Sequence, residues 1–310
     1  MQIFIPTRDR IDAQYTWDNL TDELRAQTFI VCPEEEVAAH EAKGRRVMAR
    51  PPVKLAQVRQ WLVETVSDPD TPVIMLDDDL GFFRRKDPDA YNLKPISGEP
   101  ELNLLFQELH DLVAVHGYGH AGLSPRQGNN RMFPATLINS SRVNAVHCVL
   151  PRVLLENDAR YDAVEMMEDY HVTLTLLEKG VDNAVITDGA WDQVKGSGAP
   201  GGFSHYRTKQ RQAEAALKLF ELHPDYVRVV EKEPKTGQGD NWSGTRVDVR
   251  VYWHRAFQHK PLTPQEDLPD PSGDYRPDHS YRKDRETRKW LEEEDLSAEG
   301  DDATQDETED

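Results

Sequence analysis

A mostly parallel α/β sheet flanked by helices is the fold class this sequence predicts, and three observations predict it. Strand-like and helix-like segments alternate through the first eighty residues; only a few residues join each to the next; and the fourth apolar run, Val73-Ile74-Met75-Leu76, stops in three carboxylates, Asp77-Asp78-Asp79. Short connections from strand to helix to strand impose parallel order, with helices on both faces of the sheet. In open sheets of this kind ligands bind beyond the carboxyl ends of the strands, which is where the three aspartates stand.

The elements follow in order. Ile3-Phe4-Ile5 reads as a strand ended by Pro6, Trp17 to Leu24 as a helix, and Thr28 to Cys32 as a second strand ended by Pro33. Glu34 to Lys43 reads as a helix closed by Gly44, Val47-Met48-Ala49 as a third strand, and Lys54 to Val66 as an amphipathic helix with Leu55, Val58, Leu62 and Val66 on one face. After the acidic strand, Glu99 to Val115 is helical and the pattern turns β-rich, with strands over Ala135 to Asn139 and Ala145 to Leu150. Asp162-Ala163-Val164-Glu165 fits a capping box, which predicts a helix running to Lys179 and stopped by Gly180. Val185-Ile186-Thr187 is a strand, Ser197 to Tyr206 a glycine-containing loop, and Thr208 to Leu222 a helix; beyond Pro224, two β-type runs cover Tyr226 to Glu231 and Arg246 to Trp253. These readings divide the chain into a main domain over residues 1–222, a small β-containing extension over 223–261, and an acidic tail over 262–310. The tail is expected to be disordered apart from a short charged helix over Ser280 to Leu291.

Of the net charge of −19 over 310 residues, the last twenty contribute −11, which leaves −8 for the rest. That mild acidity is compatible with a local basic patch. Cys32 and Cys148 are too few for a disulfide framework, and no Cys-x-x-Cys or His-x-His cluster points to zinc. No stretch approaches the ~18 apolar residues of a spanning helix, and the first residues enter a strand without a signal-peptide pattern. A soluble cytoplasmic protein with no membrane partner is expected.

Three adjacent carboxylates after a buried strand call for a cation. Oxygen-only ligands favour Mg²⁺ or Mn²⁺, which commonly bridge protein carboxylates to a substrate's phosphates; the simpler alternative is a solvated acidic turn. Pro6-Thr7-Arg8-Asp9-Arg10 follows the first strand, and Arg59 lies on the helix feeding the acidic strand, where it is either a phosphate contact or half of an ion pair. Glu168-Asp169 either opens a helix by complementing its dipole or supplies a proton acceptor. Gly201-Gly202-Phe203-Ser204-His205-Tyr206-Arg207 is a loop whose glycines allow close backbone approach to a ligand.

Taken in order, these residues resemble the GT-A glycosyltransferases, whose Asp-x-Asp at the end of the fourth strand holds a divalent ion on a nucleotide-sugar diphosphate. The resemblance implies a GT-A type, Rossmann-like fold with Asp77 and Asp79 as metal ligands and His205 as a third. It implies a donor site made of Pro6, Thr7, Arg8, Arg10, Arg59, Asp77, Asp78, Gly201 and Gly202, and a general base at Asp169, with Glu168 second. Ile5-Pro6-Thr7-Arg8, Tyr15-Thr16-Trp17, Arg59-Gln60-Trp61, Met75 to Leu80, Glu168-Asp169 with Leu174-Thr175-Leu176-Leu177, Gly201 to Thr208 and His223-Pro224-Asp225-Tyr226-Val227 are similar, more narrowly, to the phage TET-associated glycosyltransferases. That likeness spans about residues 2 to 257; the family pattern has Gly where this chain has Asp9. It implies a UDP-sugar donor and an acceptor of hydroxymethylated DNA, 5-hydroxymethylcytosine or another hydroxymethylated pyrimidine, in the cytoplasm of the host cell if phage-encoded.

DNA is bound largely through phosphate neutralisation. The basic residues expected near the site are Arg84-Arg85-Lys86, Arg126 with Arg131, and Arg207, Lys209 and Arg211, with solvated faces as the alternative for each. Phe82, Phe83 or Tyr206 are the candidates for stacking on a flipped base. Two other function classes stand beside the transferase: an Asp-x-Asp phosphohydrolase, against which Gly81 and the late position of the acidic strand both count, and an acidic adaptor protein.

Overall fold

The structure is a computed structural model and describes residues 1–86, 91–96, 99–129, 136–194, 208–233 and 245–262. The chain begins β1 (Gln2–Pro6), α1 (Tyr15–Asn19), α2 (Asp22–Arg25), β2 (Thr28–Pro33), α3 (Val37–Glu41), β3 (Val47–Arg50), α4 (Leu55–Trp61) and β4 (Val73–Leu76). The pairs β3 with β2, β2 with β1 and β1 with β4 are all parallel, as the short crossovers require. The helix predicted over Trp17 to Leu24 is broken at Leu20, and Thr21 restarts it by accepting a hydrogen bond from the Leu24 N–H.

The second half follows as β5 (Leu80–Arg85), β6 (Leu93–Pro95), α5 (Glu99–Ala114), β7 (His120–Pro125), α6 (Arg126–Asn129), β8 (Leu137–Asn139), β9 (Val146–Val149), α7 (Pro151–Glu156), α8 (Glu168–Glu178) and β10 (Asn183–Gln193). The sheet has the order β3-β2-β1-β4-β9-β7-β10-β5-β6, with β8 paired to β10. Of the later pairs, β7 with β10 is parallel and the others are antiparallel. β5, β6 and β7 are not legible as strands: β5 and β6 interleave Arg, Lys and Gly with apolar residues, and β7 carries Gly122 and Pro125. α9 (Lys209–Leu222), the antiparallel pair β11 (Val227–Lys232) and β12 (Arg246–Val251), and α10 (Trp253–Phe257) complete the described elements. The Ser197 to Tyr206 loop and the Ser280 to Leu291 helix lie outside the described residues.

Strands buried on both faces explain the continuous apolar runs. Ile3, Ile5, Ile74 and Leu76 face a core shared with Leu24 and with Leu105, Phe106 and Leu109 of α5. Phe4, Val73 and Met75 face the opposite core, against Val58 and Leu62 and against Val172 and Leu176 of α8. Each such side chain, fully withdrawn from water, contributes about 1.5–3 kcal/mol. A third core joins the other flank of α8, Leu174 and Leu177, to Ala215, Ala216 and Leu219 of α9, Val249 and Val251 of β12, and Trp253.

The capping box expected at Asp162 does not cap α8. Tyr161–Ala163 forms a 3-10 turn, Asp162 bonds Arg160, and α8 starts six residues later at Glu168 behind Met167. A capping motif is a local signal; the burial of Tyr161 beneath α4 overrides it.

Gly122 of β7 has no room for a side chain. An added Cβ would lie 2.6 Å from Val143 Cγ1 and 2.8 Å from the Val146 carbonyl oxygen, which cannot rotate away. Gly122→Ala should therefore cost ~1–3 kcal/mol of unfolding free energy in urea titration, as overpacking does; an unchanged midpoint would contradict the packing. Four buried histidines are expected to weaken the fold in acid. Burial pushes His120 down to about 3, His40 and His171 to about 4, and His147 well below its usual value. Their folded pKa values lie below the unfolded value of ~6.5, so the unfolded chain takes up protons first. The stability they confer is complete above pH ~6.5 and is lost as pH falls from there towards 3. Thermal unfolding between pH ~8 and ~4 should show a melting temperature that declines below ~6.5, with a shallower decline in His120→Asn; a pH-independent melting temperature would contradict it.

Candidate active site

The acidic turn after β4 is held by its backbone, which leaves its side chains to be aimed. Asp77 N–H donates to the Ala145 carbonyl at 2.9 Å. Thr16, in α1, donates its hydroxyl to the Asp77 carbonyl at 2.5 Å, accepts from the Leu80 N–H at 2.8 Å, and donates its own N–H to the Asp78 carbonyl at 3.2 Å. Val194 N–H, just past β10, donates to the Asp79 carbonyl at 2.9 Å. Every carbonyl of the three aspartates thus has a donor, as a buried turn requires.

The three carboxylates point to different partners. Asp78 is buried, accepts from the Thr7 hydroxyl at 2.5 Å and pairs with Arg10; burial pushes its carboxyl up to about 7 against the pull of Arg10 and Thr7. Asp79 is also buried: its Oδ2 lies 3.3 Å from Arg10, while its Oδ1 has no hydrogen-bond partner. Asp77 faces a cleft of about 390 Å³. There Arg59, with its side chain 4% exposed, donates to Asp77 at 2.6 Å and to Glu168 at 2.5 Å. Burial opposes the charge on Arg59, but Asp77 and Glu168 outweigh it and hold the guanidinium above its usual pKa.

Glu168 and Asp169 open α8, where the helix dipole favours anions, and both line the cleft. Burial raises the Glu168 carboxyl above its ordinary range, Arg59 pulling it down and Asp169 adding to the rise. Asp169 is gripped by Arg142, whose Nε and Nη2 both lie 2.7 Å from Oδ2. Arg142 in turn lies 4.0 Å over the Tyr170 ring, which packs 5.6 Å from Trp253. Two non-glycine residues on the cleft wall, Ala145 (φ 60°) and Met167 (φ 65°), adopt the left-handed conformation. Such residues cost ~1–2 kcal/mol each and gather at functional sites.

Of the residues singled out from sequence, Arg59, Asp77, Glu168 and Asp169 meet in the cleft. Thr7 and Arg10 lie behind the acidic turn, against Asp78 and Asp79; Pro6 ends β1 beside Val31, and Arg8 pairs with Asp9 at the surface. Asp9 itself has φ 55°, the left-handed backbone state that Asp tolerates and that the Gly expected there would permit. Arg84 and Arg85 do not follow the acidic turn to the cleft. β5 carries them into the sheet between β10 and β6, where Arg84 meets Glu108 at 2.9 Å and buried Arg85 donates to the Thr187 carbonyl at 3.3 Å. Arg126 stacks 4.3 Å over Phe83, Arg211 lies 3.5 Å from Glu165, and Phe82 is in the core against Phe106. Arg131, Gly201, Gly202, His205, Tyr206 and Arg207 lie outside the described residues.

Arg142, Tyr170, Trp191, Arg246 and Asp248 also line the cleft, and sequence reading missed them. Arg142 sits between two strands with no motif around it. A hard divalent ion fits the donor set: Asp77 and Asp79 offer only oxygen, and Asp79 Oδ1 is a buried acceptor with nothing to accept from. Among the described residues no three acidic, His or Cys side chains are grouped to hold a metal.

Arg59→Ala would deprive half-buried Asp77 and Glu168 of their shared counter-charge. It should destabilise the fold by ~1.5–3 kcal/mol at neutral pH, as loss of hydrogen bonds to charged groups does. The loss should shrink as pH approaches ~4 and the carboxylates protonate. Urea unfolding at the two pH values checks this, and a pH-independent loss would mean that Arg59 acts through packing alone.

No curated protein sequence matches the chain. Among solved structures, the chain is similar to CMP:2-keto-3-deoxy-manno-octonic acid synthetase complexed with CTP, at 14% identity and a TM-score of 0.36 over 60% of this chain and 88% of that one. Among the described residues no helix is long and apolar enough to cross a membrane. The family model of the TET-associated glycosyltransferases matches residues 1–202, which include the acidic turn, Arg59, Arg142 and the Glu168-Asp169 pair. The chain therefore belongs to the TET-associated glycosyltransferase family and is a glycosyltransferase.

Proposed function

We propose that this glycosyltransferase moves a sugar from a UDP-sugar to a hydroxymethylated pyrimidine in DNA, 5-hydroxymethylcytosine foremost. The observation that carries the reading is the meeting in one cleft of Asp77, at the end of β4, with the two carboxylates that open α8, both acidic groups held by guanidinium partners. The first supports donor binding and the second acceptor activation.

In transfer with inversion, the acceptor hydroxyl oxygen bonds to the anomeric carbon, the bond from that carbon to the diphosphate breaks, and a carboxylate takes the hydroxyl proton. Asp169 is our first assignment for that base and Glu168 the second. Asp77 and Asp79, with His205, are the residues that would hold Mg²⁺ or Mn²⁺, which supplies Lewis-acid neutralisation of the departing diphosphate. Arg59 lies beside the same position and favours negative charge there. Arg142 fixes the orientation of Asp169, which is the geometric requirement for a base.

The test is incubation of the chain with UDP-glucose or UDP-N-acetylglucosamine, Mn²⁺ and hydroxymethylated DNA, followed by nucleoside mass spectrometry. A hexose or N-acetylhexosamine increment on the modified base is expected; its absence across the donor panel would sink the acceptor reading. Asp79→Ala should lower transfer by ~10²–10³, the usual cost of losing charge stabilisation at a leaving group. Asp169→Asn should lower it by ~10²–10⁴. If Glu168 is the base instead, the acid limb of the rate profile will lie above the usual glutamate value of ~4.3 and will vanish in Glu168→Gln.

A further inference from the structure

β11 and β12 together carry four cations and two anions, in a chain whose net charge is −19. Their register sets Arg228 opposite Arg250, Val230 opposite Asp248, and Lys232 opposite Arg246. Directly opposed residues share a face, so all four cations lie on one face around a single carboxylate. On the other face Val227, Val247, Val249 and Val251 pack into the third core. Like charges directly opposite each other destabilise a strand pair, so two such rungs work against the fold.

Asp248 offsets part of the repulsion. Its Oδ2 lies 3.4 Å from both Lys232 and Arg246, and its Oδ1 accepts from the Val249 N–H at 2.8 Å. By formal count the strand pair holds four cations to two carboxylates, and its cation-bearing face adjoins the cleft, because Arg246 and Asp248 line it. All of it follows residue 202, where the family match ends.

The geometry points to this cationic face as the surface that holds the sugar-phosphate backbone of the acceptor DNA against the cleft, an inference that rests on the DNA reading proposed above. A nucleotide-sugar diphosphate fits less well. From Arg228 to Lys232 a strand extends ~13 Å at ~3.3 Å per residue, too far for two adjacent phosphates. A nucleic acid offers one charge per ~3.4 Å of helix axis on each strand.

Arg228→Ala/Arg250→Ala removes one like-charge rung and leaves Arg246 in place. Fluorescence anisotropy with a labelled hydroxymethylated duplex, from ~50 to ~200 mM salt, should show about tenfold weaker binding, with the slope of log K against log salt shallower by about 2. UDP affinity, measured by calorimetry, should be unchanged. Arg228 also donates to the Pro224 and Val227 carbonyls at 2.8 Å, so the melting temperature is measured beside binding and the variant compared with the parent where both are folded. Arg228→Lys/Arg250→Lys should retain the parent slope. An unchanged slope in the alanine variant, or an equal loss of UDP affinity, overturns the inference. If the parent transfers sugar to DNA while that slope is unchanged, only this surface is wrong. If the parent glycosylates a free hydroxymethyl nucleoside but binds no duplex, the DNA reading falls with it.

Discussion

One buried guanidinium holds the site together. Arg59 stands on α4 between Asp77, at the end of β4, and Glu168, at the start of α8. Two carboxylates brought close with no cation between them would repel by ~4 kcal/mol at 4 Å in a medium of effective dielectric ~20. Arg59 turns that repulsion into two charge-assisted bonds, and its own position is set by the core: Val58 and Leu62 anchor α4 against Phe4, Val73 and Met75 of the sheet. The packing of one helix on two strands therefore fixes where two distant acids meet. Arginine suits the role because its planar fork serves two acceptors at once.

α8 is constrained from both flanks, which explains how the strained entrance to it is maintained. Val172 and Leu176 pack toward the sheet, while Leu174 and Leu177 pack toward α9, β12 and Trp253. With both sides committed, Met167 is held at φ 65° and the next two residues are delivered into the cleft. Arg142 couples the second of them to the same C-terminal elements, through Tyr170 and its contact with Trp253. The described C-terminal elements are thus part of the support for the acidic pair.

The sequence revealed what depends on short-range pattern. Ile3-Phe4-Ile5 and Val73 to Leu76 are apolar because both sheet faces are covered, and parallel order follows from the connections between them. Glu168-Asp169 was visible as a pair, but the start of α8 was misplaced, because a left-handed Met167 supported by tertiary packing leaves no local signature. Arg84 and Arg85 looked close to the site because they follow the acidic strand; register carries them elsewhere, onto Glu108 and backbone carbonyls. Arg142 could not be found at all, since its partners Asp169 and Tyr170 lie twenty-seven and twenty-eight residues along the chain. The alternation of Arg246 to Val251 was legible as a strand. Which cations it would oppose required the pairing with β11.

Net acidity is a poor guide to what such a site admits, because charge acts over short range. At physiological salt the Debye length is ~8 Å, so the carboxylates of the last twenty residues bear on the cleft only if they come within that distance. Inside the cleft, Asp77 and Glu168 share Arg59, Asp169 has Arg142, and Glu165 meets Lys54 at 2.7 Å, so each acid of that wall is met by a cation. The field that a ligand meets is then set by the rim, where Arg246 and Asp248 belong to a strand pair with a positive surplus. An acidic polypeptide can in this way present a local surface of opposite sign to a polyanion. The tight pairing in the cleft also keeps the acids from repelling a negatively charged donor.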